Sequence, residues 1–510
     1  MIRSGVLHNL WLLAFLSLVI VAGLIALLVW NPLSPQSATS SGSLLMYCAA
    51  GIRVPVDLIA EEYARQSYGQ PIQLQYNGSN TLLSQLEVSG VGDLYLTADD
   101  SYMKLATEKG LVRESLPVAW IRPVIVVPRG NPKNIRTADD LLRQDMRVAL
   151  GNPDAAAVGK KARKLMKAAG HWESLSKNVV VFTPTVNEIA TAVKIGSADA
   201  GIVWDAIVSQ YSELEAVRIP ELDVGTAQIV LGVLTSCKQP TVALRFARYL
   251  AARDKGLLIF QEQGFDAVDG DKWEINPSLT VYSGGVNRLA IQSTLEKFQQ
   301  REGVQVDMVY NGCGVLCTQM KAMREGERHG VFPDAYFSCD VSFMEQVSDL
   351  FLEPVSVSET DMVIVARPGN PLGIRVLQDL TRPGIRLGVA NPDESALGTL
   401  TRQLLRELQI EHEIQANVST TTPTADLLIN ALKVGGLEAA IVYRANTSQV
   451  ADELEVIDID HPLARAVQTY AEAQDTVHRH TFQRLMAAIG QSRSQFEAAG
   501  FRYLLDLGAP

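Results

Sequence analysis

Short apolar runs alternate with amphipathic stretches along most of this chain. Leu44 to Cys48, Ile72 to Tyr76 and Asp93 to Thr97 have the length and pattern of strands. Between the first two, Ile59, Ala60 and Tyr63 fall on one helical face, and Pro55 suits the first position of that helix. A second amphipathic helix is predicted from Thr81. Strand, helix, strand, helix in short units is the order of an α/β domain with a mainly parallel sheet. Pro123 to Val127 and Met362 to Val365 are continuously apolar, which predicts strands buried on both faces. Leu279 to Tyr282, the turn Ser283-Gly284-Gly285, a helix through Leu295 and Phe298, and Val304 to Tyr310 repeat the opening pattern.

The repetition extends to individual residues. Asn152-Pro153-Asp154 returns as Asn391-Pro392-Asp393, 239 positions on (391 − 152). The same offset carries Gly130-Asn131-Pro132 onto Gly369-Asn370-Pro371, and Thr183-Pro184-Thr185 onto Thr422-Pro423-Thr424. Tyr76-Asn77-Gly78 recurs as Tyr310-Asn311-Gly312 at a slightly shorter spacing. Solenoid repeats run only ~20–50 residues, so a period this long is a duplicated domain. The polar stretch Asp266 to Ser278 is the expected linker, giving domains at 44–270 and 279–510.

Ahead of them, Leu10 to Trp30 carries no charge and follows Arg3. As a helix it would be about 31 Å long, close to the hydrocarbon thickness of a bilayer. Signal-peptide cores are shorter, ~7–15 residues. Residues 1–43 are therefore expected to form an uncleaved transmembrane helix and a Ser-, Pro- and Thr-rich tether, with both domains on the extracytoplasmic, periplasmic side. A long signal peptide cut near Ser37-Ala38-Thr39 is the alternative, and it leaves the domains outside the cytoplasm too. The net charge of −11 argues against nucleic acid as partner.

Ligands of open α/β sheets sit beyond the carboxyl ends of strands, where helix amino termini present unpaired N–H groups. Four such turns stand out in the first half: Ala49-Ala50-Gly51, Asn77-Gly78-Ser79, Asn152 to Gly159, and Thr183 to Val186. Their counterparts are Gly284-Gly285-Val286, Asn311-Gly312-Cys313, Asn391 to Gly398, and Thr422 to Ala425.

Tyr76-Asn77-Gly78-Ser79-Asn80-Thr81-Leu82, Gly92 to Asp99, Gly151-Asn152-Pro153 and Ala198 to Trp204 resemble the molybdate- and tungstate-binding proteins that serve ABC transporters. The resemblance covers both halves, about Leu44 to Phe265 and Leu279 to Phe501. It implies two tandem type II periplasmic-binding domains, each of two lobes hinged near Ala119-Trp120 and Asp223 in the first half. It also implies an oxyanion held by serine hydroxyls, backbone N–H groups and a tyrosine hydroxyl. Carried over, those positions are Gly51, Ser79, Val158, Val186 and Trp204, then Val286, Cys313, Leu397, Ala425 and Tyr443. Gly51 and Val286 stand where the pattern has serine, Trp204 replaces tyrosine and Cys313 replaces serine. The function implied is a membrane-tethered binding protein that delivers an oxyanion to an ABC permease. A sensor or scaffold built on degenerate binding domains is the rival. No cofactor is expected.

Other chemistries find less support. Gly159-Lys160-Lys161 lacks the glycine spacing and Ser/Thr of a P-loop. Lys160, Lys161, Arg163, Lys164 and Lys167 are expected on a solvated helix face. His478-Arg479-His480 is expected at the surface, and no nucleophile set suggests an enzyme. Cys313, Cys317 and Cys339, three of five cysteines, cluster near one predicted turn. A disulfide or buried thiols, a soft-metal or redox site, and direct contact with an oxyanion all remain open.

Overall fold

The computed structural model describes residues 43–66, 71–326 and 330–505. The expected membrane helix lies outside the described residues. Each half is two lobes with a cleft between them. In the first half one lobe holds a six-stranded sheet, in the order Asp266–Ala267, Val112–Ile121, Ala227–Leu234, Leu94–Thr97, Leu44–Ala49, Ile72–Asn77. The other lobe holds five strands, in the order Val179–Thr183, Val148–Gly151, Ala200–Trp204, Pro123–Pro128, Leu214–Val217. The chain crosses between lobes at Arg122 and returns through Pro220–Asp223.

That double crossing corrects the expectation of a mainly parallel sheet. Leu44–Ala49 pairs in parallel with both neighbours, its carboxyl end at the cleft. The strand Ala227–Leu234 enters its sheet from the hinge and runs away from the cleft, so it pairs antiparallel on both sides. The sheets are mixed. In the second half Val355–Ala366 runs unbroken through both lobes, pairing with Arg465–Glu472 at one end and Ala439–Tyr443 at the other. Pro123 to Val127 and Met362 to Val365 are buried, as continuous apolar runs require.

Local differences from the sequence reading have simple causes. The helix expected from Thr81 begins two residues earlier, as Ser79–Ser89, because Gly78 takes the N-cap position without any side-chain bond. Pro55 is the third residue of Arg53–Arg65 rather than the first. Its missing N–H costs nothing there, because the first N–H groups of a helix have no intrahelical acceptor. Asp266–Ala267, placed in the linker by composition, adds an edge strand to Val112–Ile121.

Each half has its own apolar core, and the two halves meet through their sheet-bearing first lobes. At that contact Glu302 is buried between Arg248 of the first half and Arg484 of the second. Arg484 Nε and Nη2 donate to its carboxylate at 2.6 and 3.1 Å, and Arg248 Nη1 donates at 3.3 Å. Arg301 adds a bond to Glu114 at 3.0 Å. Burial alone would raise the Glu302 pKa, but the two guanidiniums outweigh it and hold it below the ordinary value. His478, expected at the surface, is buried here, while His480 turns its ring to the Asp269 carbonyl at 2.7 Å.

Removing one partner of a buried charged cluster strands the others, at a cost of about 3–5 kcal/mol. Glu302→Ala should therefore lower stability by about that amount in chemical denaturation of the whole chain. Because the folded Glu302 pKa is depressed, its contribution is present above the unfolded carboxyl value and is lost as pH falls through the folded one. The variant should thus lose its deficit relative to wild type in acid.

Candidate functional site

Helix amino termini converge on the first cleft from both lobes. Ser79–Ser89 points in from one lobe, and Ala157–Ala168 and Val186–Lys194 from the other. Their N-cap residues Gly78, Ala156 and Thr185 make no side-chain cap bond. By contrast, the helix Asp100–Glu108 beside the cleft is capped by Asp99, which accepts from Ser101 N at 2.9 Å. Uncapped termini leave N–H groups and the positive end of the helix dipole aimed at one point.

The structure brings Gly51, Ser79, Val158, Val186 and Trp204 together around a cavity of about 20 Å³ at that point. This is far below the roughly 300–1,000 Å³ of sites for drug-sized molecules, and suits an ion of a few atoms. Ser79 is buried, and its Oγ accepts from Ala98 N at 3.2 Å. The bond uses the oxygen as acceptor and leaves the hydroxyl able to donate to a ligand in the cavity that Ser79 lines. No carboxylate lines it.

The second cleft repeats the geometry with different side chains. Cys313–Arg324, Ala396–Glu407 and Ala425–Lys433 begin at it, again without side-chain caps. Val286, Leu397, Ala425 and Tyr443 line a cavity of about 20 Å³, but Cys313 does not. It lies beneath, buried, with its Sγ 2.6 Å from that of Cys339, which does reach the lining. Cys339 N donates to Cys313 Sγ at 3.0 Å, repeating the Ala98 to Ser79 bond with sulfur in place of oxygen. Tyr443 Oη is buried without a hydrogen-bond partner, at the cavity wall. Burial, then the neighbouring Cys339, Asp340 and Cys313, push its pKa well above the usual phenol value, so it keeps its proton to donate.

Sequence reasoning missed Asp426 and Asn446, which also line the second cavity. Asn446 Nδ2 donates to Asp426 Oδ1 at 3.0 Å, and its own Oδ1 is buried and unpartnered. These are acceptors; the first cavity has no carboxylate in its wall, and the amide oxygen of its Asn77 already accepts from Gly78 N at 2.9 Å. Asp426 directly follows the recognised turn ending at Ala425, so the signal was one residue away.

The lobes are closed, and contacts across the first cleft hold them so. Lys161, expected in solvent, forms an ion pair with the buried Asp99 of the opposite lobe at 2.8 Å. Lys160 lies over the Tyr102 ring at 4.6 Å, also across the cleft. The equivalent second-half positions are Thr399 and Leu400, which carry no charge. There the lobes meet by backbone, Gly314 N donating to Glu394 O at 3.0 Å. Gly78 and Gly312 are required by this approach: a Cβ would lie 2.4 Å from Ala155 O in one case and 2.3 Å from Glu394 O in the other.

A larger cavity, of about 400 Å³, lies between the halves. Of the cations that line it, Arg301 and Arg484 are bound to Glu114 and Glu302.

Two lobes of mixed sheet, closing on a small cavity walled by helix amino termini, define a solute-binding protein. The family of bacterial extracellular solute-binding proteins matches the chain twice, over residues 44–266 and 279–502, and the chain belongs to it. The molybdate-binding protein ModA of Mycobacterium tuberculosis is 29% identical over 255 residues, 49% of this chain and 95% of that protein. ModA of Escherichia coli is 24% identical over 239 residues, 45% of this chain and 91% of that protein. The periplasmic molybdate-binding protein of Azotobacter vinelandii superposes with a TM-score of 0.38 at 17% identity, over 44% of this chain and 99% of that one.

Replacing Lys161 by leucine, the residue at the matching second-half position, leaves Asp99 without its cross-cleft cation. A hydrogen bond to a charged group contributes about 1.5–3 kcal/mol. Lys161→Leu should shift the first cleft toward the open form by up to that amount, seen as a longer distance between labels on its two lobes. An unchanged distance would show that the ion pair does not hold the cleft.

Proposed function

We propose that the chain binds a tetrahedral oxyanion of the molybdate and tungstate kind, and delivers it to the permease of an ABC transporter. In this reading Leu10 to Trp30 anchors it in the membrane, with both domains on the periplasmic side. The observation that carries the proposal is the first cavity: uncapped helix amino termini and the Ser79 hydroxyl converge on an ion-sized space with no carboxylate in its wall. Neutral donors held rigid around a dianion replace its hydration without requiring a paired cation. The molybdate-binding relatives support the same ligand class.

The ligand follows from proton count. Molybdate, tungstate and sulfate are fully deprotonated at neutral pH, whereas phosphate keeps a proton that needs an acceptor. A buried group left unpaired costs about 1–3 kcal/mol. The first half should therefore discriminate against phosphate. In the second half Asp426 and the Asn446 carbonyl oppose a dianion, and a sulfur stands where serine donates. That half is the weaker site, and its substitutions are the feature that favours a sensor built on degenerate domains as the rival reading.

Calorimetric titration of the whole chain with molybdate, tungstate, sulfate and phosphate tests this. Two classes of site are expected, the tighter one losing about 1.5–3 kcal/mol in Ser79→Ala, the range for a hydrogen bond to a charged group. Tyr443→Phe should weaken only the other class. Phosphate bound at the tighter class as strongly as molybdate would overturn the ligand assignment.

A further inference from the structure

Three of the chain's five cysteines sit at the second cleft, and they are not equivalent. Cys317 turns away, donating to Phe343 O at 3.3 Å. Cys313 and Cys339 face each other at 2.6 Å, from the first residue of the helix Cys313–Arg324 and from just beyond the strand Ala335–Phe337. The backbone beside them leaves no room for a side chain at Gly284. A Cβ on Gly284 would lie 2.0 Å from Cys339 Sγ and 3.0 Å from Cys313 Sγ. Of the pair, Cys339 reaches the cavity wall and Cys313 lies behind it.

We propose that Cys313 and Cys339 are a redox pair that closes to a disulfide in the floor of the second cleft, and that its oxidation weakens anion binding there. The second clause rests on the oxyanion reading above; the first does not. The oxidant is a small-molecule or protein disulfide, acting by thiol–disulfide exchange when the lobes are open. Cys339, the outer residue, gives up its proton and attacks one sulfur of that disulfide. One thiol leaves and a mixed disulfide remains on Cys339. Cys313 then attacks Cys339 Sγ, loses its own proton and expels the second thiol. The two cysteines are oxidised by two electrons and the incoming disulfide is reduced to two thiols. Cys313 is suited to the second step. Its Sγ lies 2.6 Å from that of Cys339, at the amino terminus of the helix Cys313–Arg324, where the dipole favours a thiolate.

The coupling to the ligand follows from donors. In the reduced pair one S–H is taken up between the sulfurs and the other is free to turn to the cavity; the disulfide has none. A thiol is a weak donor, so oxidation should weaken the second class of site by about two- to tenfold.

The whole chain is incubated with oxidised glutathione, denatured, alkylated and digested, and its peptides are weighed. A peptide pair joined through Cys313 and Cys339, released by a phosphine, is expected. Recovery of both residues as alkylated thiols, or a link through Cys317, overturns the assignment. Cys313→Ser, which leaves the outer cysteine without its resolving partner, should instead carry one glutathione on Cys339; an unmodified Cys339 in that variant overturns the order of attack. Molybdate titration of the oxidised and reduced protein tests the coupling. Equal affinities in the two states overturn the coupling and leave the disulfide standing. Absence of molybdate binding in both states overturns the oxyanion reading instead.

Discussion

Unpaired backbone N–H groups at helix starts govern this molecule, because a lobe cannot cover them without supplying something for them to bind. In each half two of the three convergent helices come from one lobe and one from the other. Closing the cleft thus gathers positive dipole ends around a small space, which is unfavourable when that space is empty. An anion reverses the sign. The glycines at the cleft lip and the absence of side-chain caps suit such an exchange, water for ion at the same donors. In the first half the Lys161–Asp99 pair offsets part of the repulsion from outside the cavity, and so biases the lobes toward closure before a ligand arrives.

Duplication preserved the backbone of this device and let its side chains part. The hydrogen bond from Ala98 N to Ser79 has its counterpart from Cys339 N to Cys313 with nearly the same length. What differs is the hydrogen beyond that bond: Ser79 has one to give the cavity, whereas Cys313 directs its own at Cys339. Tyr443 restores a hydroxyl donor where the first half has Trp204. The two clefts therefore share a shape and differ in donor strength, and the acceptors Asp426 and Asn446 widen the difference.

Much of this was legible in the sequence, for identifiable reasons. Short apolar runs marked the strands, and the recurring turns marked where helices begin, so nine of the ten carried-over residues fall on the two cavity walls. Backbone donors depend on turn geometry more than on side chains, which is why Val158 and Leu397 could be found at all. Strand direction was not legible in composition, although the family resemblance placed the hinge near Ala119-Trp120 and Asp223, beside the crossings at Arg122 and Pro220–Asp223. Lys161 looked like one cation in a solvated run, since its partner Asp99 belongs to the other lobe and no local pattern joins them. Buried His478 was misplaced for the same reason: its cover comes from the contact between halves.

That contact also sets how the halves can move. Arg248, Glu302 and Arg484 join the first lobe of one half to the first lobe of the other, and all three are buried. A buried cluster of this kind tolerates little displacement, because any shift exposes an unpaired charge to a poorly solvating interior. The two first lobes thus act as one base, and each second lobe is joined to it by its own pair of crossovers. A lobe closing over the first cleft moves residues on the far side of Arg122, away from the triad. Closure of one cleft then need not disturb the other.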